Sequence, residues 1–352
     1  MKELEALLES IGPADKTWEE KAWDRLHSQI RPPDSLGELE KIAARLAAMK
    51  QSLYVDLSRK MLFVMAGDHG VAAEGVSAYP QEVTPQMVYS FTQGWASINI
   101  LAKHAGSDVC VADLGVAVDM PAEWGFISAK IGRGTASITK GPAMTREDAI
   151  KGIKTGADLV RKSCLEGYQL IGTGDMGIGN TTPSAAIICA LSGKSAASVT
   201  GRGTGIGDDA LARKVAAIET ALKVNKPNPQ DPVDVLSKVG GYEIAGLAGA
   251  ILGAASTRTP VICDGLIATA GALIACRLSP ASADYLFLSH QSVEPGHIAM
   301  FEMIGMRPIL NLGMRLGEGT GAALVMNIIE AAAKIMAECK TFAEAGVSDK
   351  EH

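Results

Sequence analysis

Three glycine-rich segments hold the residues best suited to chemistry. The first, GTGDMGIGNTTP at 172–183, joins an apolar run to a segment that should turn helical near Thr182 or Pro183. Glycines let successive backbone N–H groups converge, and a helix N-terminus adds about half a positive charge, so the pair makes an anion cradle. Phosphate is the expected guest, held by Gly177, Ile178, Gly179, Asn180 and Thr181. The second segment, GRGTGIG at 201–207, offers Gly203 and Thr204, adds a fixed cation in Arg202, and is followed into the next helix by Lys214. Two such loops on one sheet suit a ligand with a phosphate and a sugar. The third, NLGMRLGEGTGAA at 311–323, sets Glu318 between Gly317 and Gly319, beside apolar Met314 and Leu316 and at the positive end of a closing helix. A catalytic carboxylate fits that position, and so does an ordinary acid favoured by the helix dipole.

Other motifs are weaker. Gly172, Gly174 and Gly177 spell GxGxxG, but no Asp or Glu lies between Asp175 and Asp208 to hold the ribose of a dinucleotide. Gly193-Lys194-Ser195 has the tail of a phosphate-binding loop, yet Ile188 stands where its first glycine belongs. His290, Glu294 and His297, like His69 after Asp68, match no HExxH or CxxC spacing, so neither a metal nor another cofactor is expected. Strand-end histidines of this kind more often make hydrogen bonds, and the spacing leaves open whether His69, His290 or His297 touches a ligand. There is no GxSxG nucleophile elbow.

The elements that must position these loops follow from continuous apolar runs: MLFVMA at 61–66, VCVADL at 109–114, YQLIG at 168–172, PVIC at 260–263, YLFLS at 285–289 and PILNL at 308–312. Continuous rather than alternating runs suit strands buried on both faces. Helix-like segments at Pro183–Leu191, Asp208–Val224, Gly265–Cys276 and Gly319–Ala337 lie between or after them. This alternation predicts an α/β fold with a doubly wound, mostly parallel sheet, whose ligands bind where strands end. The glycine clusters fall at those ends. The first 60 residues carry helical periodicity, with Trp18, Trp23 and Leu26 on one stripe and Leu39, Ile42, Leu46 and Met49 on another.

Composition bounds the rest. A chain of 352 residues that is 47% hydrophobic can bury a large core, and a net charge of −6 gives no surface for nucleic acid. Six cysteines without a CxxC pair read as reduced. The acidic, amphipathic start MKELEALLES lacks the features of a secretory signal, and the apolar stretch Ile244–Cys276 is interrupted by Arg258, Pro260 and Asp264. A cytoplasmic protein with no membrane partner is expected.

Taken together, RPPDSLGELE at 31–40, AGDHGVAAEGVSAYPQEVT at 66–84, GTGDMGIGNTTP at 172–183, GRGTGIGDDALARK at 201–214 and GMRLGEGTGAAL at 313–324 resemble the nicotinate-nucleotide:dimethylbenzimidazole phosphoribosyltransferase family. The resemblance runs in order over nearly the whole chain. It implies transfer of 5-phosphoribosyl from nicotinate mononucleotide to 5,6-dimethylbenzimidazole, giving α-ribazole 5'-phosphate and nicotinate. It also implies a homodimer, with a Rossmann-like three-layer α/β/α domain at 61–324 and a small helical subdomain built from 1–60 and 325–352. Glu318 aligns with the family's catalytic base, and Asp175, Lys214 and Asp264 fall at polar active-site positions, Asp175 where some relatives carry Glu. Gln81, Tyr89, Met176, Met314 and Leu316 align with the lining of the base pocket.

The chemistry is consistent with a single carboxylate. The pyridine nitrogen of nicotinate mononucleotide is already cationic, so the leaving group departs neutral and needs no acid. What remains is to take a proton from the incoming benzimidazole. Enzymes that use phosphoribosyl pyrophosphate need a metal and paired acids at a strand end, whereas Val261-Ile262-Cys263-Asp264-Gly265 carries one acid. A dinucleotide-dependent oxidoreductase and a non-catalytic nucleotide sensor are the rival readings. Apolar pockets discriminate by about 1–3 kcal/mol per methylene, so the preferred base is not fixed by these residues.

Overall fold

The computed structural model describes residues 2–348, and residues 1 and 349–352 of the expected helical subdomain lie outside them. Six strands form one all-parallel sheet: β1 Lys60–Gly67, β2 Ser107–Gly115, β3 Ile127–Ser128, β4 Leu170–Met176, β5 Val261–Cys263 and β6 Leu286–Leu288. Their order is β3-β2-β1-β4-β5-β6. This is the doubly wound arrangement, in which the chain reverses direction across the sheet between β1 and β4.

Helices flank it. Before the sheet come α1 Lys2–Glu9, α2 Lys16–Ser28 and α3 Glu38–Lys50. Then follow α4 Val83–Thr92, α5 Ser97–Ala105, α6 Arg146–Leu165, α7 Thr181–Ser192 and α8 Ala196–Val199. Next are α9 Asp208–Asn225, α10 Pro232–Val239, α11 Tyr242–Ser256 and α12 Leu266–Leu278. The last are α13 Gly296–Ile304, α14 Thr320–Glu338 and α15 Phe342–Ala345.

Small residues set the closest packing. Gly246 and Gly249 of α11 meet Gly156 and Ile153 of α6 backbone to backbone, with no room for a side chain at Gly156 or Gly249. Both helices can therefore crowd together, and α11 also packs on β1, β2 and β4. Helix α14 is long and apolar enough to cross a membrane, but more than half of it is buried against neighbours including α3, α5 and β4. Its end is tied to α2: Arg25 Nε donates to the Met336 carbonyl at 2.8 Å, and Gln29 Nε2 donates to that of Ile335 at 2.9 Å.

Two sequence expectations need correction. The run PILNL is not a sheet strand; it makes one parallel bridge, Leu310 to His290, and Leu312 is exposed. A segment that begins at a proline, is only half-buried through Leu310 and is exposed at Asn311 and Leu312 lacks the two-sided burial that a central strand needs. Second, the expected strand ended at Gly172, whereas β4 runs on through Met176, so Gly174 belongs to the strand and not to the loop. Gly172 and Gly174 are small because neighbours press on them: a Cβ at Gly172 would meet Met326 at 2.8 Å, and one at Gly174 would meet the Glu318 carbonyl oxygen at 2.5 Å. The two-residue edge strand β3 had no apolar run to announce it.

Candidate active site

The ends of β1, β4, β5 and β6 deliver Asp68, Gly177, Asp264 and Ser289 to one side of the sheet, at the point where strand order reverses. A cavity opens there, lined by Asp175–Ile178, Asn180, Thr181, Gly203, Thr204, Gly265–Ile267, His290, Ser292, Glu294 and Arg315–Glu318. Larger clefts exist, one between α2, α3 and Arg307 and one beside α13. Neither includes residues from the strand ends.

Glu318 faces this cavity on unusual backbone. Gly317, Glu318 and Gly319 have φ of 82°, 64° and 92°, so a non-glycine residue sits in the left-handed region between two glycines. Such strain costs on the order of 1–3 kcal/mol and persists only where neighbours enforce it. Asp264, at the end of β5, is one enforcer. Its Oδ2 accepts the Gly319 N–H at 3.0 Å, and its Oδ1 accepts those of Gly321 at 2.8 Å and Ala322 at 3.0 Å. It thus caps α14 from across the fold, in place of a local capping side chain.

Glu318 is only 8% exposed, and its Oε2 has no hydrogen-bond partner. Burial, then the nearby charge of Asp264, pushes its pKa up to about 7, against a smaller pull from the Ile98 amide. A carboxylate poised near neutrality with a free oxygen is suited to accept a proton. Asp175 lies buried at the end of β4, accepting a hydrogen bond from Asn180 Nδ2 at 2.9 Å. Burial first, then the charges of Asp264 and Glu243, holds its pKa well above the usual carboxylate range.

Lys214 reaches the site from α9 with 0% exposure, its Nζ donating to Thr181 Oγ1 at 2.8 Å and to the Gly201 carbonyl at 3.1 Å. Burial lowers its pKa to about 8, with Glu294 opposing. Glu294 Oε1 accepts the Gly203 N–H at 2.8 Å, and Arg315 Nη1 donates to the Gly203 carbonyl at 3.0 Å. Helix α4 closes another side, where Thr84 Oγ1 accepts the Ile178 N–H at 3.1 Å.

The structure therefore brings Glu318, Asp175, Met176, Gly177, Ile178, Asn180, Thr181, Gly203, Thr204 and Leu316 onto one lining. Lys214 and Asp264 stand directly behind it, bonded to Thr181 and to the Glu318 loop. Others lie off it. Arg202 donates to the Ile206 carbonyl and pairs with exposed Asp208, and Gly179 adopts φ 92° against Ala72. Tyr89 packs tilted against Trp124 at 4.8 Å and edge-on against Trp95 at 5.5 Å. Gln81 precedes α4, its carbonyl accepting the Thr84 N–H, and the Met314 carbonyl accepts that of Val293.

Sequence reasoning missed Arg315, Ser292 and the role of Glu294, and it left the histidines open. His290 lines the cavity, its Nδ1 3.0 Å from Ser289 Oγ and 3.8 Å from Asp264 Oδ1. His297 is tied to Thr269 at 2.9 Å and to the Ser292 N–H, and burial pushes its pKa down to about 3. His69 pairs with Glu243 at 2.8 Å beneath Gly177; burial alone would lower its pKa, yet that carboxylate raises it. Only the length of the GMRLGEG motif hinted at Arg315.

Comparison with known proteins supplies independent findings. A family model described as phosphoribosyltransferase, DBI_PRT, matches residues 11–347. The chain is 66% identical over its whole length to the complete nicotinate-nucleotide--dimethylbenzimidazole phosphoribosyltransferase of Syntrophobacter fumaroxidans. It is 54% identical to that of Geobacter sulfurreducens over 99% of both chains. A crystal structure described as CobT from Thermus thermophilus is similar with a TM-score of 0.91 at 44% identity, covering 95% of this chain and 100% of that one.

Proposed function

Because this chain belongs to the nicotinate-nucleotide–dimethylbenzimidazole phosphoribosyltransferase family, we propose that it moves 5-phosphoribosyl from nicotinate mononucleotide to 5,6-dimethylbenzimidazole with Glu318 as general base. The observation that carries the mechanism is that Glu318, whose buried Oε2 has no hydrogen-bond partner, lines a cavity bounded by two glycine loops. The phosphate sits on the Gly177–Thr181 turn and Thr204, with Lys214 supplying charge through Thr181. Arg202 and Gly179 belong to the same loops and shape them from outside the lining.

The base lies between Met176 and Leu316, which both line the cavity. Gln81, Tyr89 and Met314 extend that pocket by family position. Glu318 takes the N–H proton of the benzimidazole while the other ring nitrogen attacks the anomeric carbon. The bond to the pyridinium nitrogen breaks, its electron pair returns to that nitrogen, and neutral-ring nicotinate leaves. Attack opposite the leaving group inverts the centre, so the β-nucleotide yields an α-product. Glu318 then releases its proton to solvent. Asp175 hydrogen-bonds the ribose, and Asp264 holds the Glu318 loop in register.

A homodimer and a cytoplasmic location complete the reading, on the strength of the family alone. So does a helical subdomain from both chain ends, supported by the hydrogen bonds of Arg25 and Gln29 to the end of α14. Incubating the protein with both substrates and resolving products by mass tests the proposal. Equal amounts of α-ribazole 5'-phosphate and nicotinate are expected; nicotinate without the ribotide would mean hydrolysis instead of transfer.

A further inference from the structure

Glu294 is 6% exposed, in the connection between β6 and α13, and it faces the cavity at the second glycine loop. Its Oε1 accepts the Gly203 N–H at 2.8 Å. The loop closes on the carboxylate so tightly that a Cβ at Gly201 would lie 2.2 Å from Oε2. The same stretch is gripped twice more, by Lys214 Nζ on the Gly201 carbonyl at 3.1 Å and by Arg315 Nη1 on the Gly203 carbonyl at 3.0 Å. Lys214 is fully buried, and Glu294 is the acid whose charge acts on it.

A carboxylate and a phosphate are both oxyanions that accept hydrogen bonds from backbone amides and ammonium groups in the same geometry. The amide of Gly203 and the charge of Lys214 are the donors that the glycine loops offer to a phosphate. In this structure the Gly203 amide already serves a carboxylate from within the chain, and the charge of that carboxylate acts on Lys214.

We propose that Glu294 is an internal stand-in for the substrate's phosphate, holding the Gly201–Thr204 loop and Lys214 ready and surrendering the Gly203 amide when a phosphate monoester arrives. The nature of that ester rests on the function proposed above; the competition itself does not. Two consequences follow. The loop is kept shaped for an anion, because its donors are never left bare in a buried place. Nucleotide affinity is held below what the cradle could reach, because the incoming dianion must displace a fixed negative charge. That weaker hold also speeds release of the phosphorylated product.

A different role would reverse the sign. If Glu294 accepted a ribose hydroxyl, neutralising it would weaken nucleotide binding. Calorimetric titration of the full-length protein and Glu294→Gln with inorganic phosphate and with nicotinate mononucleotide separates the two. We expect both ligands to bind the variant roughly tenfold tighter, the scale of one hydrogen bond to a charged group. Glu302→Gln, a loss of charge at an exposed position on α13, leaves both affinities unchanged. Equal or weaker phosphate binding by Glu294→Gln overturns the inference. Failure of the parent to bind the nucleotide, alongside tighter phosphate binding by the variant, overturns the proposed substrate and leaves the stand-in intact. Should the variant not fold, the backbone amide resonance of Gly203 in the parent decides: it shifts on phosphate saturation, and a resonance unmoved by bound phosphate overturns the inference.

Discussion

Gly174 lies directly beneath the carbonyl of Glu318, so close that a Cβ on the strand residue would sit 2.5 Å from that oxygen. The contact joins the sheet to the loop that presents the proposed base. Gly174→Ala should therefore lift the loop and misplace the Glu318 carboxylate. Since Gly174 has an ordinary strand conformation, the cost is steric, about 1–3 kcal/mol in stability. A fall in kcat of at least tenfold with a small change in KM for nicotinate mononucleotide is expected; steady-state kinetics and thermal melts check it.

The acid limb of the pH profile should belong to Glu318. Its pKa, raised to about 7, predicts that kcat/KM climbs as pH rises through 7 and levels once the carboxylate is ionised. Stability should move the opposite way. A carboxyl whose pKa is higher folded than unfolded loses stability as pH rises from about 4.5 to about 7. Glu318→Gln removes that loss, so its melting temperature should exceed the parent's at pH 8 and approach it below pH 5. A parallel pair of melting curves would contradict the assignment.

An alkaline limb should come from Lys214. Burial lowers its pKa to about 8, so its charge, and with it the hold on the substrate phosphate, is lost as pH rises past that value. Lys214→Met should raise KM for nicotinate mononucleotide by roughly 10–100-fold, the worth of a hydrogen bond to a charged group, and flatten the limb. The profile of kcat/KM with both groups intact is then a narrow bell between about 7 and about 8.

Asp264 should act through the Glu318 loop without touching substrate. Asparagine at this position keeps one acceptor oxygen where the carboxylate serves three N–H groups. Loss of the others should cost about 2–4 kcal/mol in stability. The variant also removes the charge that helps raise the Glu318 pKa, so the acid limb of whatever activity remains should move to lower pH. An unshifted limb would separate Asp264 from Glu318.

Much of this was legible in the residues. The runs at 61–66, 109–114, 260–263 and 285–289 became β1, β2, β5 and β6, because a strand buried on both faces has to be apolar throughout. The glycine loops marked the strand ends because their backbones must approach one another closely. What stayed hidden depends on the third dimension. Nothing in the local sequence of Asp264 says that it caps a helix beginning 56 residues later, and nothing around Glu294 says that it meets Gly203. Gly174 read as loop because glycine usually does; only the Glu318 contact explains it inside a strand. PILNL read as strand because its apolar composition is the same on the surface as in a sheet.

The central claim is that Glu318 removes the proton from the attacking base. Its most direct test is product formation by the parent and by Glu318→Gln at pH 8, with nicotinate mononucleotide and 5,6-dimethylbenzimidazole both saturating and the anomer identified by NMR. The parent should give α-ribazole 5'-phosphate matched by nicotinate. The variant, folded and binding the nucleotide within a few-fold of the parent, should be slower by roughly 10²–10⁴. A variant as fast as the parent, or a β-configured product from either protein, would contradict the account.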